Sequence, residues 1–212
     1  MDNIDLRKIK TIFICPDHNE MYQKRCKYMF TLLQELGFEQ VIHYKSGSSD
    51  TYPLNLATYN ILQMNLNEHI LVIEDDLEFI QNVDFNIKIP HGADAIYLGL
   101  SGCNYNFEKQ TNETEAKLQV VDSNYARVLN MLGAHAILYL SKEYKLQIAN
   151  ALKNSTNAND IEICKYQSKY NIYALRKPLC WQSAKFNKTW IEYITKIEID
   201  DYGYAISSNL TN

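Results

Sequence analysis

Between residues 11 and 73 the hydrophobic pattern changes period four times, and this switching restricts the fold more than any other feature of the chain. Thr11-Ile12-Phe13-Ile14-Cys15 is a short β-branched apolar run closed by Pro16-Asp17-His18-Asn19, which predicts a buried strand and a loop. Tyr22, Cys26, Met29, Leu33 and Leu36 then recur at four, three, four and three residues, a single helical stripe with Gly37 as its stop signal. Gln40 to Tyr44 predicts a second strand, and Ser46-Gly47-Ser48-Ser49-Asp50 a turn. Pro53, near a helix start, precedes Leu54, Ala57, Ile61 and Met64 at helical spacing, and His69 to Ile73 is a third buried strand. Such a β-α-β-α-β order predicts an α/β fold, a mainly parallel central sheet with helices on both faces. Sheets of that kind bind ligands beyond the carboxyl ends of their strands, so the loops at 16–19, 46–51 and 74–78 are expected to share one edge.

Farther on, Ala95 to Leu100, Leu118 to Val121, Ala134 to Leu140 and Ile172 to Leu175 read as strands, and the polar stretch 103–117 as a loop or flap. Ser141 is placed to cap a helix from Lys142 to Leu152, and Asp160 to Lys169 has helical character. A chain of 212 residues that is 46% hydrophobic is expected to form one domain over 1–212. A formal charge of −4 without basic tracts argues against nucleic acid as the main partner. Five cysteines, odd in number and without a C-x-x-C pair, suggest neither a zinc ribbon nor a disulfide framework and favour a reducing, cytoplasmic setting. His18, His43, His69 and His91 have no grouping that suggests a zinc site. The polar start and the short apolar runs predict a soluble protein with neither signal peptide nor membrane span.

The chemistry is concentrated in Leu71-Val72-Ile73-Glu74-Asp75-Asp76-Leu77-Glu78, where four acids follow a strand that demands burial. Hard cations such as Mg²⁺ and Mn²⁺ take one or two carboxylates and complete their shell with phosphate oxygens and water, so Glu74, Asp76 and Glu78 are candidate metal ligands. A solvated acidic turn is the competing explanation. A proton acceptor for group transfer is sought among the later acids. Asp160 is the first candidate and Glu162 the reserve, although an acid opening a helix also serves as an N-cap. His135, between Ala134 and Ala136, suits either contact with phosphate, metal or acceptor, or a place in the core. Trp181 suits stacking on a sugar or, more commonly, burial. Arg176 and Lys177 suit diphosphate neutralisation or a solvated strand end.

The helix, apolar strand and Glu-Asp-Asp over residues 52–80 resemble the lipooligosaccharide galactosyltransferase and collagen galactosyltransferase family, with its viral relatives. Gly133-Ala134-His135-Ala136-Ile137-Leu138-Tyr139-Leu140-Ser141 is similar to a second stretch of that family, and Asp160 with the later strand, Pro178 and Gln182 to a third. The chain looks like a divergent member. The resemblance implies a GT-A fold, with a nucleotide-binding part at about 8–102 and an acceptor-side part at about 118–212. It implies a nucleotide-diphosphate sugar donor, UDP-sugar foremost, a glycan, glycolipid or glycoprotein acceptor, and Mn²⁺ or Mg²⁺ held chiefly by Asp76. Pro16, Asp17, Asp50 and Asp75 would join His135 in contacting the donor. Two alternatives stay open. One is a nucleotidyltransferase, although Cys15-Pro16-Asp17-His18 is not the Gly-rich basic loop such enzymes usually carry; the other is a non-catalytic binding domain of a larger assembly.

Overall fold

The computed structural model describes residues 3–48, 50–183, 185 and 193–208. The first half comprises β1 (Asn3–Asp5), β2 (Lys10–Cys15), α1 (Glu20–Glu35), β3 (Val41–Lys45), α2 (Thr51–Met64) and β4 (Ile70–Glu74). Four short strands follow: β5 (Leu77–Phe79), β6 (Asn86–Lys88), β7 (Ala95–Tyr97) and β8 (Cys103–Asn106). Then come β9 (Thr111–Thr114), β10 (Lys117–Val120), β11 (Tyr125–Asn130), β12 (Ala136–Tyr139), α3 (Lys142–Leu152) and α4 (Asn159–Gln167). The last are β13 (Ile172–Leu175), β14 (Cys180–Gln182), β15 (Ile197–Ile199) and β16 (Ala205–Ser207).

Eight strands form one sheet in the order β10-β11-β13-β7-β12-β4-β2-β3. The β-α-β-α-β segment builds its parallel edge, with β2 parallel to both β3 and β4, and β13 runs parallel to β7. The remaining junctions are antiparallel, so the sheet is mixed. The reason lies in β12, which enters between β7 and β4 against both and which no hydrophobic period could orient in advance.

Strand alternation sorts the core into two layers. Ile12, Ile14, Ile70 and Val72 pack with Ala57, Ile61 and Leu62 of α2 and with Tyr144, Ile148 and Leu152 of α3. Phe13, Cys15, Leu71 and Ile73 face the other way, onto Cys26, Met29 and Leu33 of α1. Asn19 caps α1 by accepting a hydrogen bond from Tyr22 N, and Gly37, at φ 84°, ends it in the left-handed region that an L side chain resists. Ser141 caps α3 as its sequence position implies. The stretch 103–117 is a β8–β9 hairpin rather than a flap. No helix among the described residues is long and apolar enough to cross a membrane.

Candidate functional site

The acids sit where β4 stops. Because β2, β3 and β4 run in parallel, the loops that leave them emerge at the same sheet edge, and there they enclose a cavity of about 220 Å³. Its walls are Pro16 and Tyr22 after β2, Ser46 and Ser48 after β3, and Glu74, Asp75 and Asp76 after β4, with Arg25 of α1 and Leu54 of α2 closing the sides. A pocket smaller than the ~300–1,000 Å³ of drug-sized ligand sites suits one portion of a ligand that continues into open solvent. A larger cavity of about 430 Å³ lies at the opposite end of β4, beside His69, His91 and Ser141. Among the described residues its lining holds no carboxylate to pair with either histidine, so size alone does not mark the chemistry.

Arg25 is the residue the sequence reading missed. Its guanidinium Nη2 donates to Asp75 Oδ1 at 2.7 Å and stands 3.4 Å from Asp76 Oδ2, with all three side chains buried. The signal was its place beside Cys26 on the buried stripe of α1, where a cation needs an anionic partner. Burial nevertheless dominates at Asp75, whose carboxyl is pushed up to about 7 even though Arg25 pulls it down. Glu74 is raised well above the usual range, first by burial and then by the negative charges of Asp76, Asp160 and Asp75, with Arg25 opposing. The charge of Asp160, 86 positions later, is thus felt at Glu74.

Asp160 lies in the first turn of α4. Its Oδ2 accepts from Gly133 N at 3.1 Å and its Oδ1 from Ile161 N at 2.8 Å, while burial raises its pKa. It is therefore not the N-cap, a position that Ala158 holds, and its charge is among those that raise Glu74. Glu74 Oε2 also accepts a 3.3 Å hydrogen bond from Gln182 Nε2. Glu74 and Asp76 thus present carboxylate oxygens on one cavity wall, the donor chemistry of hard divalent cations, and these two could hold Mn²⁺ or Mg²⁺.

Glu78 points elsewhere. It accepts from Ser183 Oγ at 2.8 Å and pairs with Lys185 Nζ at 2.7 Å. Glu162 is likewise engaged by Lys165, Asn157 and Ser155, which together outweigh burial and hold its carboxyl below the ordinary value, a poor setting for a base. Pro16 lines the cavity, whereas Asp17 turns to Lys45 Nζ at 2.5 Å and Asp50 accepts from Ser48 Oγ at 2.8 Å ahead of α2. Trp181 is fully buried with Lys196 Nζ 4.7 Å from its ring centre, so it is core. Arg176 is tied to Asp201 and to the Ile199 and Asp122 carbonyls, and Lys177 is exposed.

His135 is 1% exposed, and neither ring nitrogen has a hydrogen-bond partner among the described residues. Desolvation lowers its pKa to about 4, so the ring is neutral. Gly99 makes room for it: a Cβ there would lie 2.1 Å from His135 Nε2. Its carbonyl accepts from Glu74 N, tying this imidazole to the acidic strand end through the backbone.

Two expectations about cysteine are corrected. Cys15 and Cys26 are joined in a disulfide, and with His43 they gather donor atoms within 4.8 Å of one another. Spacing in sequence could not reveal this, because strand, helix and neighbouring strand each contribute one residue. The absence of cysteine pairing was the main support for a reducing compartment, and that support is gone.

No family model matches the sequence, and no curated protein matches it. Among solved structures the chain is similar to A197 from STIV. That likeness has a TM-score of 0.42 at 11% identity and covers 96% of this chain and 97% of the other. Similarity at that level carries over no residue roles.

Proposed function

We propose that the chain is a metal-dependent glycosyltransferase that takes a sugar from a nucleotide-diphosphate donor, UDP-sugar foremost, and passes it to a glycan, lipid-linked or protein acceptor. The observation that supports this most is the placement of Glu74 and Asp76 on the wall of a cavity built by the loops after β2, β3 and β4, with the charge of Asp160 felt at Glu74. In this reading the whole chain is one GT-A-like domain, as its resemblance to the lipooligosaccharide and collagen galactosyltransferases implies. Glu74 and Asp76 hold Mn²⁺ or Mg²⁺, and Glu78 drops out because Ser183 and Lys185 occupy it. The metal, when bound, neutralises the departing diphosphate. Pro16, Ser46 and Ser48 line the space for the nucleoside, and Asp160 accepts the acceptor hydroxyl proton, its pKa raised by burial.

A second reading has one observation in its favour. Arg25 already compensates Asp75 and Asp76, as in a binding domain that needs no metal. Calorimetric titration of UDP and GDP with and without Mn²⁺, repeated on Asp76→Ala, separates the two. Metal-dependent binding of one nucleotide, lost in the variant, is the expected result. Binding indifferent to metal and to Asp76, or no binding of either nucleotide, refutes the transferase reading.

A further inference from the structure

The Cys15, Cys26 and His43 cluster takes no part in the proposed sugar transfer and stands independently of it. Its convergence follows from the periods of three elements. Phe13 pairs in register with His43 across β2 and β3, so both face α1, and Cys15, two residues on from Phe13, faces the same way. Cys26 sits on the apolar stripe of α1 that covers that face. The two sulfurs and a His43 ring nitrogen therefore meet in one place, with Cys26 Sγ 3.5 Å from His43 Nε2. His43 stacks on Phe13 at 4.7 Å between ring centres, which fixes the plane of the imidazole. β3 is an edge strand and His43 is only partly buried, leaving a path from solvent.

We propose that in the reduced chain these residues form a binding site for one zinc-class cation, held by Cys15 Sγ, Cys26 Sγ and the His43 imidazole. Two thiolates and one imidazole are the donor set that borderline-soft ions take, in contrast to the oxygens of Glu74 and Asp76. Thiolates bound at about 2.3 Å on a tetrahedral ion stand roughly 3.8 Å apart, within the reach the three donors already have. Asp75 Oδ2, 3.0 Å from Cys15 Sγ, and the Pro16 carbonyl oxygen, 3.1 Å from Cys15 Sγ and 3.3 Å from Cys26 Sγ, are further oxygens beside the sulfurs.

The balance is simple. A phosphine reduces the Cys15–Cys26 bond to two thiols, taking the oxygen of one water and leaving as the phosphine oxide. The cation then displaces both thiol protons. His43 Nε2, now 3.0 Å from the Cys15 carbonyl oxygen, gives up that contact and binds as the neutral tautomer with its proton on Nδ1. Two protons are released per cation. Oxidation to the disulfide removes both sulfur ligands, so cation and disulfide exclude each other.

Cobalt(II) is the probe, added anaerobically to phosphine-reduced full-length protein. One equivalent is expected to produce thiolate-to-cobalt charge-transfer absorption together with the visible bands of a tetrahedral ion. Cys26→Ser and His43→Gln are expected to weaken uptake more than tenfold, and Cys103→Ser to leave it unchanged, each fold being checked by near-ultraviolet circular dichroism. Cobalt held by carboxylates alone gives no sulfur band. The proposal is overturned if the reduced protein shows no such band, or if the band persists with unchanged affinity in Cys26→Ser or His43→Gln. Should either variant fail to fold, the oxidised wild type decides: a charge-transfer band there equal to that of the reduced protein overturns it as well.

Discussion

His135 should make stability fall as pH falls, by an amount the structure sets. The ring is buried without a partner, and its pKa drops from 6.5 to about 4. A group depressed in the folded state contributes its stability above the unfolded pKa and loses it as pH falls toward the folded one. The window is therefore pH 6.5 down to 4. At ~1.36 kcal/mol per unit the whole shift is worth ~3.4 kcal/mol, of which ~2 kcal/mol is lost by pH 5. The raised carboxyls Glu74, Asp75 and Asp160 act with the opposite sign, favouring the fold as pH falls, so the wild-type curve alone decides nothing. The comparison that isolates the imidazole is His135→Met, an unbranched apolar side chain able to adapt to the same space. Urea unfolding of both proteins with EDTA present, at pH 8 and pH 5, gives the two differences. The variant is expected within ~1 kcal/mol of wild type at pH 8, since no hydrogen bond is broken. At pH 5 it should be relatively more stable by ~2 kcal/mol. Equal pH dependence in the two proteins would refute the claim that His135 is held neutral.

Gly99→Ala drives a methyl to within 2.1 Å of the same ring and should destabilise the fold by ~1–3 kcal/mol or more, measured as a lowered urea midpoint and restored by adding His135→Ala. Arg25→Met leaves Asp75 buried without its cation and should cost ~3–5 kcal/mol near pH 8, less at pH 5 where Asp75 is protonated, read from the same denaturant curves. Asp160→Asn should lower turnover by ~10²–10⁴-fold in a nucleotide-release assay with donor and acceptor, whereas Glu162→Gln should change it less than about threefold.

The parallel half of the molecule was legible in the sequence because its signals are local. A β-branched apolar run at residues 11–15, a helical stripe from Tyr22 to Leu36 and an acidic stop after Ile73 each fix an element within a few residues. Parallel strands then require their exit loops to share an edge, which placed Pro16, Ser46 and Asp76 around one cavity. The strand Tyr125–Asn130 carried no comparable signal, since Arg127 and Asn130 break its apolar pattern. Arg25, Cys26 and His43 were illegible as site residues because their meaning depends on which face of α1 meets which face of β2. Glu78 was misassigned for the opposite reason. Four acids within five residues look alike in sequence, and only the pairing of β5 with β14 turns this one toward Ser183 and Lys185.

That pairing also sets an order of assembly. Ser183 N donates to the Asp76 carbonyl, Ile80 N to the Leu179 carbonyl and Gln182 Nε2 to Glu74, each joining segments about a hundred residues apart. A loop of that length closes only after most of the polypeptide exists. A chain ending at residue 175 would retain every acid of the first half but none of the strand that fixes their turn. A ribosome-bound chain of that length should therefore bind neither nucleotide nor Mn²⁺ at the acidic site, and that competence should arrive in one step once residues 177–183 leave the exit tunnel.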